Sequence, residues 1–304
     1  MKGYSLHVGV GEVDFDHYLS TYKVIGPEKD AKDLYDITSN INGYKKSFLL
    51  TSSGKGTAKA TSKNFFNALD YIIEETKKNG KEESYVVISF SGHGARYEHE
   101  HKLKRKVEFL CFHDKMVLEH EIKVELLKFP KGVKCFIIVD CCYSDGITQS
   151  GYGLGTLTIE SLSQELSKEE KEAIAERERG ILNSIKRMTG NQAKGVIESN
   201  RKEYLDKIET VPAIISARQF RSSICFLSAC DKDKKTGAAD HANGNSFFTD
   251  KLLSIWNGGD FEGNYNMLHT FLAKKTGLNG GARISGAYAP FFIKTVPFDF
   301  NREY

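Results

Sequence analysis

Two short stretches carry side chains able to act on one another. Ser91-Gly92-His93-Gly94 follows the apolar run 85–90, and Asp140-Cys141-Cys142-Tyr143-Ser144-Asp145-Gly146 follows the apolar run 134–139. A thiol with a pKa of about 8.5 is only slightly ionised at neutral pH, yet the thiolate is the nucleophile. An imidazole beside it can take the proton and later hand it to a leaving amine. That pairs Cys142 as nucleophile with His93 as base. Glycine on both sides of His93 lets backbone amides face a substrate, so the amides of Gly94 and of Cys142 itself are the expected oxyanion donors. Asp140 shares a strand face with Cys142 because side chains alternate, whereas Cys141 points the other way and is expected to be structural. Either His93 or Cys142 alone reads as an ordinary loop or core residue; the pair at two strand ends reads as catalysis.

The elements that must hold this pair follow from the apolar pattern. The runs 85–91 and 133–140 are unbroken, as expected for strands buried on both faces. Further strands are expected at 4–10, 47–50, 107–112, 223–228 and 287–294. Helices are expected at 27–42, opened by Pro27 and its following acids, at 61–79, capped by Thr61, and at 119–129, 245–256 and 265–274. Strand and helix alternate, so the connections are crossovers and the sheet is mostly parallel. In such sheets ligands sit beyond the carboxyl ends of the strands, where His93 and Cys142 lie. The charged stretch 96–106 is expected to be an exposed hairpin or loop.

The 304 residues suffice for a full core, and a net charge of +3 gives no clustered basic footprint for nucleic acid. No apolar run approaches the roughly 20 residues that span a bilayer, and the first residues lack a signal-peptide core, so a cytoplasmic location is expected. Cys111, Cys135, Cys225 and Cys230 lie in apolar runs as small core residues, and no spacing suits zinc or a disulfide framework. His99, His101, His113 and His120 lie among charges and are expected to be solvated. Three parts are expected: 1–150 with the Cys–His pair, a charged and partly helical, largely solvated linker at 151–221, and 222–304 completing the same sheet.

The Ser-Gly-His-Gly and Asp-Cys-Cys-Tyr-Ser-Asp-Gly stretches together resemble the caspase-like clan of cysteine peptidases, most of all the metacaspases and their prokaryotic relatives. A His about 50 residues before the Cys is part of how caspases are recognised, so the matching interval here is resemblance and not an independent derivation. The resemblance covers most of 1–150 and resumes from Phe226-Leu227-Ser228-Ala229-Cys230-Asp231 through the helix at 247–256. Tyr143 stands where metacaspases usually have His, and Asp145 precedes the glycine. The resemblance implies a caspase-like α/β sandwich with a central, mostly parallel six-stranded sheet flanked by helices.

It also implies protein substrates with Arg or Lys at P1, held in an acidic S1 pocket. Pocket positions of the family fall on Asp30, Ser91 and Asp140, with Asp231 as a fourth candidate. Paired carboxylates suit a guanidinium, which they can grip bidentately. Asp30 could equally be an ordinary first-turn helix acid. The bases of the linker are sites for self-cleavage or for an activating protease, which implies a zymogen. The chemistry needs no cofactor. Some metacaspases use calcium, for which Asp231, Asp233 and Asp240 do not have EF-hand spacing. No metal site, nucleic-acid partner or membrane partner is expected, and a monomer is. The rival readings are a non-catalytic caspase-like scaffold and a clan member with another P1 preference.

Overall fold

The computed structural model describes residues 1–80, 83–99, 105–142, 157–158, 188–216, 220–229, 244–276, 282–285 and 289–304. Its strands are β1 (Lys2–Gly9), β2 (Tyr44–Thr51), β3 (Ala58–Lys59), β4 (Ser84–Ser91), β5 (Gly94–His99), β6 (Arg105–Cys111), β7 (Met116–Leu118), β8 (Lys134–Asp140), β9 (Leu157–Thr158), β10 (Ser223–Ser228) and β11 (Ala282–Ser285). The helices are α1 (Phe15–Tyr18), α2 (Pro27–Asn40), α3 (Ser62–Lys78), α4 (Glu119–Leu126), α5 (Gly190–Ser199), α6 (Arg201–Ser216), α7 (Phe247–Trp256), α8 (Tyr265–Thr276) and α9 (Ala289–Lys294).

The main sheet runs in the order β3-β2-β1-β4-β8-β10-β11-β9. Its first six strands are all parallel, and β11 and β9 extend it antiparallel. This is the expected α/β sandwich with a six-stranded parallel centre. β5, β6 and β7 form a separate antiparallel ribbon.

Side-chain alternation along the central strands builds two cores. Val86, Ile88 and Phe90 of β4 join Cys135, Ile137 and Val139 of β8 on the face covered by α3, where Phe65, Leu69 and Ile72 pack. Tyr85 and Val87 join Phe136 and Ile138 on the other face, against Leu34 of α2, Phe248 and Leu252 of α7, and Leu268 of α8. Ser91 and Asp140 continue this second set of positions, so they end the sheet on the α2–α7 side.

Several expectations are corrected. Residues 289–294 form a helix, not the final strand; Pro290 suits a first turn and could not donate to a sheet ladder. The added strand lies just upstream as β11. Within the segment expected to be a solvated linker, α5 and α6 are packed: Met188, Ala193, Val196, Ile197, Tyr204 and Ile208 belong to the first core. Their recurrence at helical spacing is the reason. His120 is buried against Glu119, at 2.9 Å, and is not solvated. In the stretch expected to be an exposed hairpin or loop, β5 and β6 pair antiparallel, and Arg96 meets Glu108 across them at 2.6 Å with both side chains about a tenth exposed, while 100–104 lie outside the described residues. No helix among the described residues is long and apolar enough to cross a membrane.

Candidate active site

The pairing of β4 with β8 ends at Ser91 opposite Asp140. Both chains leave the sheet there, and each carries one candidate residue two positions on: His93 and Cys142. The exits stay together, because the Gly92 amide donates to the Asp140 carbonyl at 3.3 Å. Beyond His93 the contact tightens. A Cβ on Gly94 would fall 1.8 Å from the Cys142 carbonyl oxygen and 3.2 Å from Cys141 Sγ. Only a glycine lets the two backbones approach this closely. His93 and Cys142 are both buried.

Three further contacts brace the His93 exit. The Cys111 amide donates to the His93 carbonyl at 3.0 Å, which ties it to the ribbon. Tyr22 meets the imidazole edge to face, with ring centroids 6.0 Å apart. The Met188 amide donates to the Gly94 carbonyl at 3.0 Å, so the segment leading into α5 holds the residue beside the imidazole. Cys141 belongs to the first core, on the face opposite Asp140, as side-chain alternation requires.

Asp30 reaches the same end of the sheet from the first turn of α2. Gly9 makes that possible: a Cβ there would lie 2.3 Å from the Pro27 carbonyl oxygen, so the end of β1 and the start of α2 pack backbone to backbone. Asp30 is fully buried and accepts hydrogen bonds from Ser91 Oγ at 2.6 Å, from the Ser246 amide at 2.8 Å and from Ser246 Oγ. Asp140 is equally buried and accepts from Thr249 Oγ1 at 2.7 Å. Ser246 and Thr249 stand three residues apart at the start of α7, a rise of about 4.5 Å. The two acids are thus bonded to residues one turn apart on α7, and Ser91, which donates to Asp30, is the strand partner of Asp140.

The structure thus brings together His93, Gly94, Cys142, Asp30, Ser91 and Asp140. Asp231 lies outside the described residues, as do Tyr143, Asp145 and the other acids considered for calcium. Among the described residues no cluster of three or more His, Cys, Asp or Glu could hold a metal ion. Sequence reasoning missed Tyr22, Ser246 and Thr249. The one signal for Ser246 was its type at a helix start, and that signal points to capping.

A model of the caspase-domain family matches residues 10–288. The chain belongs to that family. Family membership makes it a cysteine-peptidase relative, for which proteins are the fitting class of substrate. One solved structure agrees on the fold. A crystal structure of a Geobacter sulfurreducens protein superposes with a TM-score of 0.72 at 22% identity, covering 99% of each chain. Caspase-1 from Spodoptera frugiperda matches at a TM-score of 0.44 and 13% identity, covering 95% of this chain and 80% of that one. The pro form of an Sf caspase-1 matches at 0.40 and 11%, covering 94% and 87%. No curated protein matches significantly.

Proposed function

We propose that this caspase-family chain is a cysteine endopeptidase that cuts after Arg or Lys, with Cys142 as nucleophile and His93 as its base. The observation that carries the reading is the shared end of β4 and β8, from which both residues emerge at the same offset. His93 takes the Cys142 proton, and the thiolate attacks the scissile carbonyl. Amides of Gly94 and Cys142 receive the oxyanion, and His93 protonates the departing amine. Water then hydrolyses the acyl-enzyme, and the thiol is restored.

The P1 preference rests on Asp30 and Asp140, two buried carboxylates bonded to residues one turn apart on α7 and linked through Ser91. A guanidinium or ammonium group offsets that paired charge, whereas an acidic P1 side chain would add to it. Activation is by cleavage within 151–221, where Arg and Lys recur.

The test compares wild type with Cys142→Ala by intact mass and by turnover of a fluorogenic peptide with Arg at P1. Wild type should turn the peptide over and yield fragments ending in Arg or Lys; Cys142→Ala should do neither. Turnover by the Cys142→Ala protein would refute the nucleophile. A wild type that hydrolyses no peptide would favour a non-catalytic scaffold.

A further inference from the structure

Ser246 occupies the N-cap position of α7, yet its side chain makes no hydrogen bond to its own helix. A capping serine ordinarily accepts from an amide two or three residues on, a contact worth about 1 kcal/mol. Here the hydroxyl is turned away and donates to Asp30, and the Ser246 amide donates to the same carboxylate. Thr249, in the first turn, likewise donates its hydroxyl to Asp140. Both hydroxyl-bearing residues at this helix start are therefore spent on the two acids, across sequence separations of 216 and 109 residues.

We propose that Ser246 and Thr249 are positioning residues for basic-residue specificity, each fixing one carboxylate of the pair Asp30 and Asp140. This rests on the reading of that pair as the P1 site. The physical argument is orientation. Neighbouring carboxylates repel, and the Thr249 hydroxyl limits the orientations open to Asp140. A guanidinium draws its advantage over an ammonium from planar, paired hydrogen bonds, so it needs the carboxylate oxygens fixed in place. An ammonium is a compact charge and tolerates a looser arrangement. Holding the acids should therefore matter more for Arg than for Lys. It also makes the P1 site a joint product of both ends of the chain: Asp30, Ser91 and Asp140 come from one, Ser246 and Thr249 from the other.

The experiment measures kcat and KM on matched peptides with Arg or Lys at P1, for wild type, Thr249→Val, Thr249→Ser and Ser246→Ala. Thr249→Val keeps the shape and removes the donor. It should raise KM for the Arg peptide about tenfold while kcat changes less than about twofold. The Arg-over-Lys ratio of kcat/KM should fall about fivefold, and Thr249→Ser should restore it. The melting temperature should stay at the wild-type value in all variants. A wild type that cuts after Arg, beside a Thr249→Val protein with an unchanged KM and Arg-over-Lys ratio, would overturn this inference alone. Equal losses on both peptides with a lowered melting temperature would also overturn it, since that is general disruption. A wild type that prefers neutral or acidic P1 residues would overturn the P1 reading and this inference together. If Thr249→Val does not fold, Ser246→Ala, which keeps its amide donor, decides by the same outcomes.

Discussion

Ser91 and Asp140 form the last rung of the β4–β8 ladder, and His93 and Cys142 each stand two residues past it. Parallel neighbours carry their side chains to the same end of the sheet, so one rung sets both the candidate dyad and part of the candidate P1 site. Backbone pairing therefore helps to set where imidazole and thiol emerge.

Gly94 is the most sensitive position in this arrangement. Gly94→Ala would drive a methyl group to within 1.8 Å of the Cys142 carbonyl oxygen, so one backbone must move. Peptide turnover should fall at least about a hundredfold, since small misplacements of reacting groups cost that much. Gly195→Ala is the control: nothing lies within 4 Å of a Cβ there, the residue sits inside α5, and the melting temperature should hold or rise.

Tyr204 joins α6 to the rest of the molecule. Its hydroxyl meets His17 Nε2 at 2.6 Å and receives the Met116 amide at 3.1 Å. Tyr204→Phe leaves both groups without that partner and should cost about 1–3 kcal/mol, read as a shift in the urea midpoint at constant slope.

His7 should make the fold acid-sensitive. Its ring lies between Ser89 Oγ at 2.8 Å and Thr38 Oγ1 at 3.0 Å, and burial lowers its pKa from 6.5 to about 3. Below 6.5 the unfolded chain binds a proton that the folded one refuses, so this contribution to stability is whole above that pH. It drains away as pH falls toward 3, by about 1.4 kcal/mol per unit. Chemical unfolding of His7→Gln between pH 4 and 7 should show a shallower decline than wild type.

Burial pushes the thiol pKa values of Cys111, Cys135 and Cys225 well up, and each is enclosed in the core. All three should resist iodoacetamide at pH 7.5 in the native protein and react fully in guanidinium chloride, as tryptic mapping would report.

Much of this was legible in the residues. The runs 85–90 and 134–139 are continuous because both faces of a central parallel strand are covered, and glycine and acid mark where each leaves the sheet. Residues 291–293 misled because three apolar side chains suit a strand as well as a short helix; Pro290 was the discriminating residue. In 188–216 the recurring bases drew attention to solvation, while Ala193, Val196, Ile197, Tyr204 and Ile208 traced the buried stripe. Ser246 and Thr249 were invisible for another reason. A hydroxyl that serves a carboxylate more than a hundred residues away leaves no local pattern, and one that declines to cap its own helix leaves a misleading one.

On one side the main sheet finishes in a two-residue strand, β3 at Ala58–Lys59. So short a rim gives another polypeptide almost no ladder to zip onto. Sibling molecules gain little by stitching their sheets together along that border.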